Sequence, residues 1–208
     1  MLVLLLPAPA FADADAHYAS QPIILVTGDS LSAAYGMGLD QGWVALLQRR
    51  LTEQGYPHTV VNTSVSGETT AGALARLPGE LARHKPDIVL IELGANDGLR
   101  GQPVKTLRGN LKTIIALSRQ AGAKPVLFEM RLPSNYGPQY TEAFRTSFGA
   151  LAAAEKIPLV PFFLDSIALH SEWFQNDGIH PTAAAQPKLL EAVWPVLGLL
   201  LGKPASGT

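Results

Sequence analysis

The chain contains no cysteine among its 208 residues, which excludes disulfide bonds, thiolate nucleophiles and thiolate metal ligands. It also lacks a charge surplus, because 16 lysines and arginines face 17 aspartates and glutamates. That balance argues against a nucleic-acid partner and against the composition of a disordered chain. Beyond the N-terminus no stretch reaches the ~18 uninterrupted apolar residues of a membrane-spanning helix, so we expect no stable membrane insertion.

The N-terminal residues have the pattern of a truncated secretory signal. An apolar run, Met1–Leu6, precedes a stretch of small residues in which Ala12, Ala14 and Ala16 form A-x-A cleavage sites. A disordered tail is the alternative interpretation. We expect a signal remnant and tail over residues 1–20, one domain over 21–202, a second tail over 203–208, and a periplasmic or secreted location.

Five apolar runs rich in β-branched residues alternate with segments of helical periodicity. The runs predict strands over Ile23–Val26, Thr59–Val61, Ile88–Ile91, Val126–Phe128 and Pro158–Val160. The other segments predict helices over Trp43–Glu53, Ala71–Arg83, Val104–Ala121, Thr141–Ala154 and Ala184–Leu200. Apolar strands that alternate with helices are typical of a parallel sheet covered on both faces. The expected fold is therefore α/β, with three α/β/α layers, a five-stranded parallel sheet and a flavodoxin-like arrangement.

Loops rich in small and polar residues follow four of the predicted strands, over residues 28–32, 62–67, 94–98 and 131–137. Ligands of an open parallel sheet bind outside the carboxyl ends of its strands. We therefore expect these loops to converge on one rim and to hold the functional residues.

Ser30 is the candidate nucleophile on that rim, since it follows the first strand and opens a helical turn. A serine hydroxyl needs an adjacent base to attack a carbonyl carbon. Of the five histidines, His180 has the most suitable context, because Asp177 precedes it by three residues on a turn with glycine and proline. Asp177 can orient the imidazole there, as in a Ser-His-Asp triad. Taken alone, the spacing is more typical of a polar turn before a helix.

Two further residues are candidates for an oxyanion hole, which needs hydrogen-bond donors where the carbonyl oxygen becomes negative. Gly67 can bring its backbone N–H close because it has no side chain, and Asn96 can offer a side-chain N–H. Each has a simpler interpretation alone, Gly67 as a loop glycine and Asn96 as an Asx-turn residue. Their positions after consecutive predicted strands favour the oxyanion interpretation, with the Ser30 N–H as third donor.

These residues resemble the four sequence blocks of the GDSL or SGNH hydrolases. The blocks are residues 28–32, the loop that ends at Gly67, residues 94–97, and Asp177-x-x-His180. The likeness covers residues 23–195 and extends to bacterial enzymes of the family that hydrolyse acyl-CoA thioesters, lysophospholipids and aryl esters. It implies the SGNH hydrolase fold and a serine esterase without metal or cofactor, and we expect a monomer.

Carried over residue by residue, the resemblance implies Ser30 as nucleophile, His180 as general acid and base, and Asp177 as the residue that orients the imidazole. The Ser30 N–H, the Gly67 N–H and the Asn96 side chain are implied as oxyanion donors.

Other residues of the same loops are candidates for lesser roles. The resemblance implies that residues 98–103 move when an acyl chain enters, and we expect Asp29 and Asp97 to brace their loops. Tyr35 and Met37 lie beside the rim. They can either line a groove for the acyl chain or pack against neighbouring residues, and the sequence leaves both interpretations open. The candidate substrate-binding residues are Leu31, Leu99, Arg100, Tyr136, Pro138 and Ile179.

Three alternative functions compete with a serine esterase that hydrolyses aryl esters, acyl-CoA and lysophospholipids. A carbohydrate or peptidoglycan O-acetyl esterase uses the same sequence blocks on a small acyl group. A non-catalytic acyl- or lipid-binding module keeps the fold without the reaction. A nucleotide-binding flavodoxin-like protein is disfavoured, because the loop after the first strand has no phosphate-binding glycine series and no lysine beside it.

Overall fold

A computed structural model describes residues 21–204, and its centre is a sheet of five parallel strands. The strand order is β2-β1-β3-β4-β5, the flavodoxin-like order, as predicted. Four strands extend beyond the predicted apolar runs, because backbone pairing continues to Gly28 in β1, to Asn62 in β2 and to Glu92 in β3, and starts at Lys124 in β4. The strands are β1 (Ile23–Gly28), β2 (Thr59–Asn62), β3 (Ile88–Glu92), β4 (Lys124–Phe128) and β5 (Leu159–Val160).

Six α-helices in this part of the chain cover the sheet. Two of them, α1 and α6, pack against each other on one face, and α2, α4 and α5 pack in a row on the other. The short α3 was not predicted. The helices are α1 (Trp43–Glu53), α2 (Thr70–His84), α3 (Ala95–Leu99), α4 (Val104–Gln120), α5 (Pro138–Glu155) and α6 (Gln186–Gly198). The three-layer α/β/α prediction is confirmed.

The apolar C-terminal stretch belongs to the core. Val193 and Leu197 of α6 are buried there, as is Leu201 just beyond the helix. Helix α6 therefore turns one face toward the sheet and its neighbour α1. Within residues 21–204 no helix is both long and apolar enough to cross a membrane. The predicted signal segment and the last four residues of the predicted C-terminal tail lie outside the described residues.

The topology creates a crevice over the carboxyl ends of β1 and β3. From β1 the chain crosses to β2 through α1 on one face, whereas from β3 it crosses to β4 through α4 on the other. The loops after these neighbouring strands therefore diverge, and the space between them is where open parallel sheets bind ligands.

Candidate active site

Ser30 lies on a single helical turn directly after β1. The Asp29 carbonyl accepts hydrogen bonds from the N–H groups of Ser32 and Ala33, at 3.2 and 3.0 Å, which closes the turn. Ala34 then takes a left-handed conformation, with φ of 55°, and the turn does not continue as a helix. The half-buried Ser30 side chain thus stands at the rim of the crevice.

His180 and Asp177 lie on a second turn that faces Ser30. The Ser30 hydroxyl is 2.9 Å from Nε2 of His180, and Nδ1 of His180 is 2.7 Å from Oδ2 of Asp177. Since a carboxylate only accepts, Nδ1–H donates to Asp177 and Nε2 is free to accept from the serine hydroxyl. This is the donor and acceptor order that a Ser-His-Asp triad requires.

The Asp177 carboxylate also holds its own turn together. Its Oδ1 accepts from the backbone N–H of Ile179 at 2.9 Å and of His180 at 3.0 Å, while Gly178 supplies a φ of 66°. The hydrogen bonds from the His180 backbone and side chain, followed by that of Ile179, lower the pKa of Asp177 to about 2. The residue is therefore an anion at any pH near neutrality.

Gln175 joins the histidine turn to the serine turn. Its side-chain Nε2 donates to the carbonyl of Tyr35 at 2.8 Å and to that of Pro181 at 3.1 Å. Its backbone N–H donates to the carbonyl of His180 at 2.8 Å. This role of Gln175 was not predicted, because nothing in its local sequence pattern reveals a partner 140 residues away.

The predicted oxyanion donors lie on the loops after β2 and β3. Gly67 has a φ of 77°, and its carbonyl accepts from the Arg100 guanidinium at 2.9 Å. Among the hydrogen bonds formed within residues 21–204, none uses the backbone N–H of Ser30 or of Gly67. Both donors are thus available to a ligand. Asn96 lies in the first turn of α3, and its Nδ2 donates to Oδ2 of Asp29 at 3.1 Å.

Asp29 and Asp97 brace their loops, as expected. Asp29 accepts from the Leu31 N–H and from Asn96. Asp97 accepts from the N–H and the hydroxyl of Thr70, at 2.8 and 2.5 Å, and so fixes the start of α2.

The candidate substrate-binding residues fall into two groups. Leu31 is only 8% exposed and packs in the core, which leaves little of its side chain for a ligand. The others lie at the surface, where Tyr136 and Pro138 line a groove of about 650 Å³. The hydroxyl of Tyr136 donates to the carbonyl of Leu99 at 3.0 Å, which ties residues 98–103 to that groove. Ile179 is 53% exposed beside the catalytic turn.

Comparison with known proteins finds similarity to a family of hydrolases. The profile of the GDSL-like lipase/acylhydrolase family matches residues 26–186. The chain is 55% identical over 183 residues to the esterase TesA of Pseudomonas aeruginosa, covering 88% of this chain and 91% of that one. It is 44% identical over 169 residues to "thioesterase 1/protease 1/lysophospholipase L1" of Escherichia coli K12, covering 81% and 80% of the two chains. A crystal structure of TesA superposes with a TM-score of 0.84 at 55% identity, over 86% of this chain and 99% of that chain.

Proposed function

The chain belongs to the GDSL-like lipase/acylhydrolase family and is a serine esterase, and we propose that Ser30, His180 and Asp177 are its catalytic triad. The observation that carries the proposal is the continuous contact from the Ser30 hydroxyl through both ring nitrogens of His180 to the Asp177 carboxylate, at 2.9 and 2.7 Å. The interpretation of the fold as a non-catalytic binding module is wrong, since the chain is an esterase.

In the first half-reaction Nε2 of His180 takes the hydroxyl proton while Oγ of Ser30 attacks the carbonyl carbon of the substrate. The tetrahedral intermediate places negative charge on the former carbonyl oxygen. When it collapses, His180 returns the proton to the departing alcohol or thiol, and the acyl group stays on Ser30. Water then attacks the acyl-enzyme with His180 again as base, which releases the carboxylic acid and restores the hydroxyl.

We further propose that the oxyanion receives hydrogen bonds from the N–H groups of Ser30 and Gly67 and from Nδ2 of Asn96. The two backbone donors have no acceptor among residues 21–204. Asn96 uses one Nδ2 proton on Asp29 and has a second to offer. Three donors fixed before the substrate binds stabilise the developing charge without reorganisation.

The proposed substrates are carboxylic esters and thioesters, namely aryl esters, acyl-CoA and lysophospholipids. Support comes from the groove that contains Tyr136 and Pro138, which offers an apolar surface to an acyl chain. The half-buried Leu99 is hydrogen-bonded to Tyr136 of that groove, and Ile179 is exposed next to His180. The exposed Arg100 uses one guanidinium nitrogen on Gly67 and keeps donors for a phosphate group of the substrate.

Replacing Ser30 tests the nucleophile. In Ser30→Ala we expect turnover of p-nitrophenyl acetate to fall at least about a thousandfold with unchanged folding, because no oxygen remains to carry the acyl group. Ser166→Ala, at an exposed serine away from the triad, is the matched control. A fluorophosphonate probe labels the wild type and the control, and not Ser30→Ala. Wild-type turnover by Ser30→Ala would disprove the assignment.

A chain-length series separates the two esterase types. We expect kcat/KM for p-nitrophenyl esters to rise from acetate to octanoate, and the wild type to hydrolyse acyl-CoA and lysophospholipid in parallel assays. An optimum at acetate with no activity on those two substrates points instead to a carbohydrate or peptidoglycan O-acetyl esterase.

We also propose a periplasmic location, on the support of the A-x-A sites within residues 1–20. Osmotic-shock release of a chain that begins after one of those sites is the expected result. Full-length protein in the cytoplasmic fraction would contradict it.

A further inference from the structure

Glu92 lies beneath the serine turn, at the carboxyl end of β3. The register of β1 and β3 sets it opposite Gly28, two residues before Ser30. Its side chain is fully buried, although the other four residues of the strand are apolar. No lysine, arginine or histidine of residues 21–204 lies within ion-pair distance of it. A carboxylate buried without a counter-charge is costly, so this group needs another way to remain inside.

One oxygen of Glu92 holds both sides of the nucleophile. Its Oε2 accepts from the Asp29 N–H at 3.2 Å and from the Ser32 hydroxyl at 2.6 Å. The Ser32 Oγ in turn accepts from Nε1 of Trp43 at 3.3 Å, which anchors the set to α1. Asp29, directly before Ser30, and Ser32, two residues after it, are therefore both held by the Glu92 side chain.

The other oxygen, Oε1, has no hydrogen-bond donor within the described part of the chain. The carboxyl that interacts with Glu92 is that of Asp29, and two carboxyls can form a hydrogen bond only when one of them carries a proton. Burial, and next the charge of Asp29, raise the pKa of Glu92 well above its usual range. Burial raises the pKa of Asp29 to about 6, and hydrogen bonds from Leu31 and Asn96 and the charge of His180 hold it from rising further. Of the two carboxyls, Glu92 is the more deeply buried and is therefore the one that holds a shared proton.

We propose that Glu92 is a positioning residue of the esterase site, which keeps a proton in the folded enzyme and donates it from Oε1 to the Asp29 carboxylate. The anionic Asp29 then accepts a hydrogen bond from Nδ2 of Asn96, which orients the second proton of that amide toward the substrate oxygen. The neutral Glu92 meanwhile holds the serine turn through Oε2. The inference rests on the proposed roles of Ser30 and Asn96, and it adds a buried acid that touches no substrate.

The pH dependence of stability tests for the proton. Because the folded-state pKa is raised, native Glu92 stays protonated above pH 4.5, the ordinary value, where the unfolded chain has released its proton. Between that pH and the native pKa, wild-type stability falls as pH rises, by about tenfold in the unfolding equilibrium constant per pH unit. Glu92→Gln keeps a donor and an acceptor in place but has no proton to lose at this position, so it lacks the contribution of Glu92 to this fall.

In urea unfolding at a series of pH values from 5 upward, we expect the stability of Glu92→Gln relative to the wild type to increase as pH rises. Glu53→Gln, at an exposed carboxyl on α1, is the matched control and should run parallel to the wild type. A difference between Glu92→Gln and the wild type that stays constant with pH would overturn the protonated state.

Kinetics test the positioning. Glu92→Gln should keep kcat within about threefold of the wild type, because it reproduces the hydrogen bonds of the neutral acid. Glu92→Met fills the volume without them, and we expect kcat to fall at least about tenfold with KM little changed. Labelling of Ser30 by a fluorophosphonate should slow in proportion.

Two outcomes would contradict the role of Glu92, and both can be distinguished from a wrong assignment of Ser30 as the nucleophile. Wild-type kcat in a folded Glu92→Met, or a large kcat loss in a folded Glu92→Gln, would overturn the positioning role while Ser30 still labels. If Ser30 were not the nucleophile, the probe would miss it in every variant.

Discussion

The ring of Tyr35 packs against the imidazole of His180, with centroids 4.2 Å apart and planes tilted by 32°. Tyr35 lies at the end of the turn that carries Ser30, so one short segment presents the proposed nucleophile and supports its proposed base. Together with the Gln175 side chain, this contact holds the two catalytic turns in register.

Replacing Tyr35 by alanine should lower kcat/KM about two- to tenfold, because an aromatic contact contributes ~0.5–1.5 kcal/mol and its loss frees the imidazole to rotate. Tyr35→Phe keeps the ring and should retain wild-type kcat/KM. Since Tyr35 is 46% exposed, the melting temperature should change little in either variant. Steady-state kinetics on p-nitrophenyl acetate measure the effect, and equal losses in both variants would assign it to the hydroxyl instead.

Asp177→Asn should reduce kcat by about 10³- to 10⁴-fold with the fold intact. The asparagine oxygen can still accept from Ile179 and His180, as Oδ1 does now. Its amide then faces Nδ1, which moves the imidazole proton to Nε2, where it blocks acceptance from Ser30. Because Asp177 is already ionised down to a pKa of about 2, the loss should be the same across the active pH range. Asp40→Asn, at an exposed carboxyl, should behave as the wild type.

Gln175→Leu should lower both activity and stability, since two carbonyls on different turns lose their donor. We expect a decrease of ~1–3 kcal/mol in the free energy of unfolding and a fall of about tenfold in kcat/KM. Asn176→Ala changes the exposed neighbour and serves as the control for a side-chain truncation on this loop. Unfolding in urea and kinetics on the same preparations give the two values, and a variant that keeps both would remove the proposed bridge.

Gly28→Ala should destabilise the enzyme by ~1–3 kcal/mol and impair Ser30 at the same time. A Cβ there would lie 2.7 Å from Oε2 of Glu92 and 2.9 Å from Oγ of Ser32, so the first glycine of the motif makes room for the buried acid. Gly149→Ala, inside α5 with nothing within 4 Å of the added atom, should be neutral or stabilising by up to ~1 kcal/mol. Thermal unfolding of both variants measures the effect. Equal melting temperatures of Gly28→Ala and Gly149→Ala would refute the steric argument.

Much of the sheet could be predicted from sequence because parallel strands buried on both faces are continuous apolar runs. Element ends were harder to predict, since they depend on local hydrogen bonding. Helix α5 begins at Pro138, three residues before the predicted start, because proline fits the first turn of a helix where no N–H partner is needed. Helix α6 begins at Gln186, after a 3₁₀ turn over Ala183–Ala185 that the apolar pattern does not distinguish from a helix.

The triad could be proposed from the sequence because each of its three residues carries its own chemical signature, and four blocks in order are specific. The supporting residues could not, since their partners lie far away in sequence. Glu92 contacts residues 60 and 63 positions earlier, and only the strand register brings them together. One signal was present, an acidic residue at the end of a wholly apolar strand, and it pointed to a buried carboxyl.

The hydrogen bond between Ser30 and His180 joins residues 150 positions apart. Closing so long a loop is a slow, entropically costly step of folding. The proposed nucleophile lies on the turn that follows β1, but the proposed base is in place only when the segment before α6 has packed against that turn. Hydrolysis of a chromogenic ester during refolding therefore reports native topology across the whole domain, and a folding intermediate that lacks the last docking step is inert toward esters.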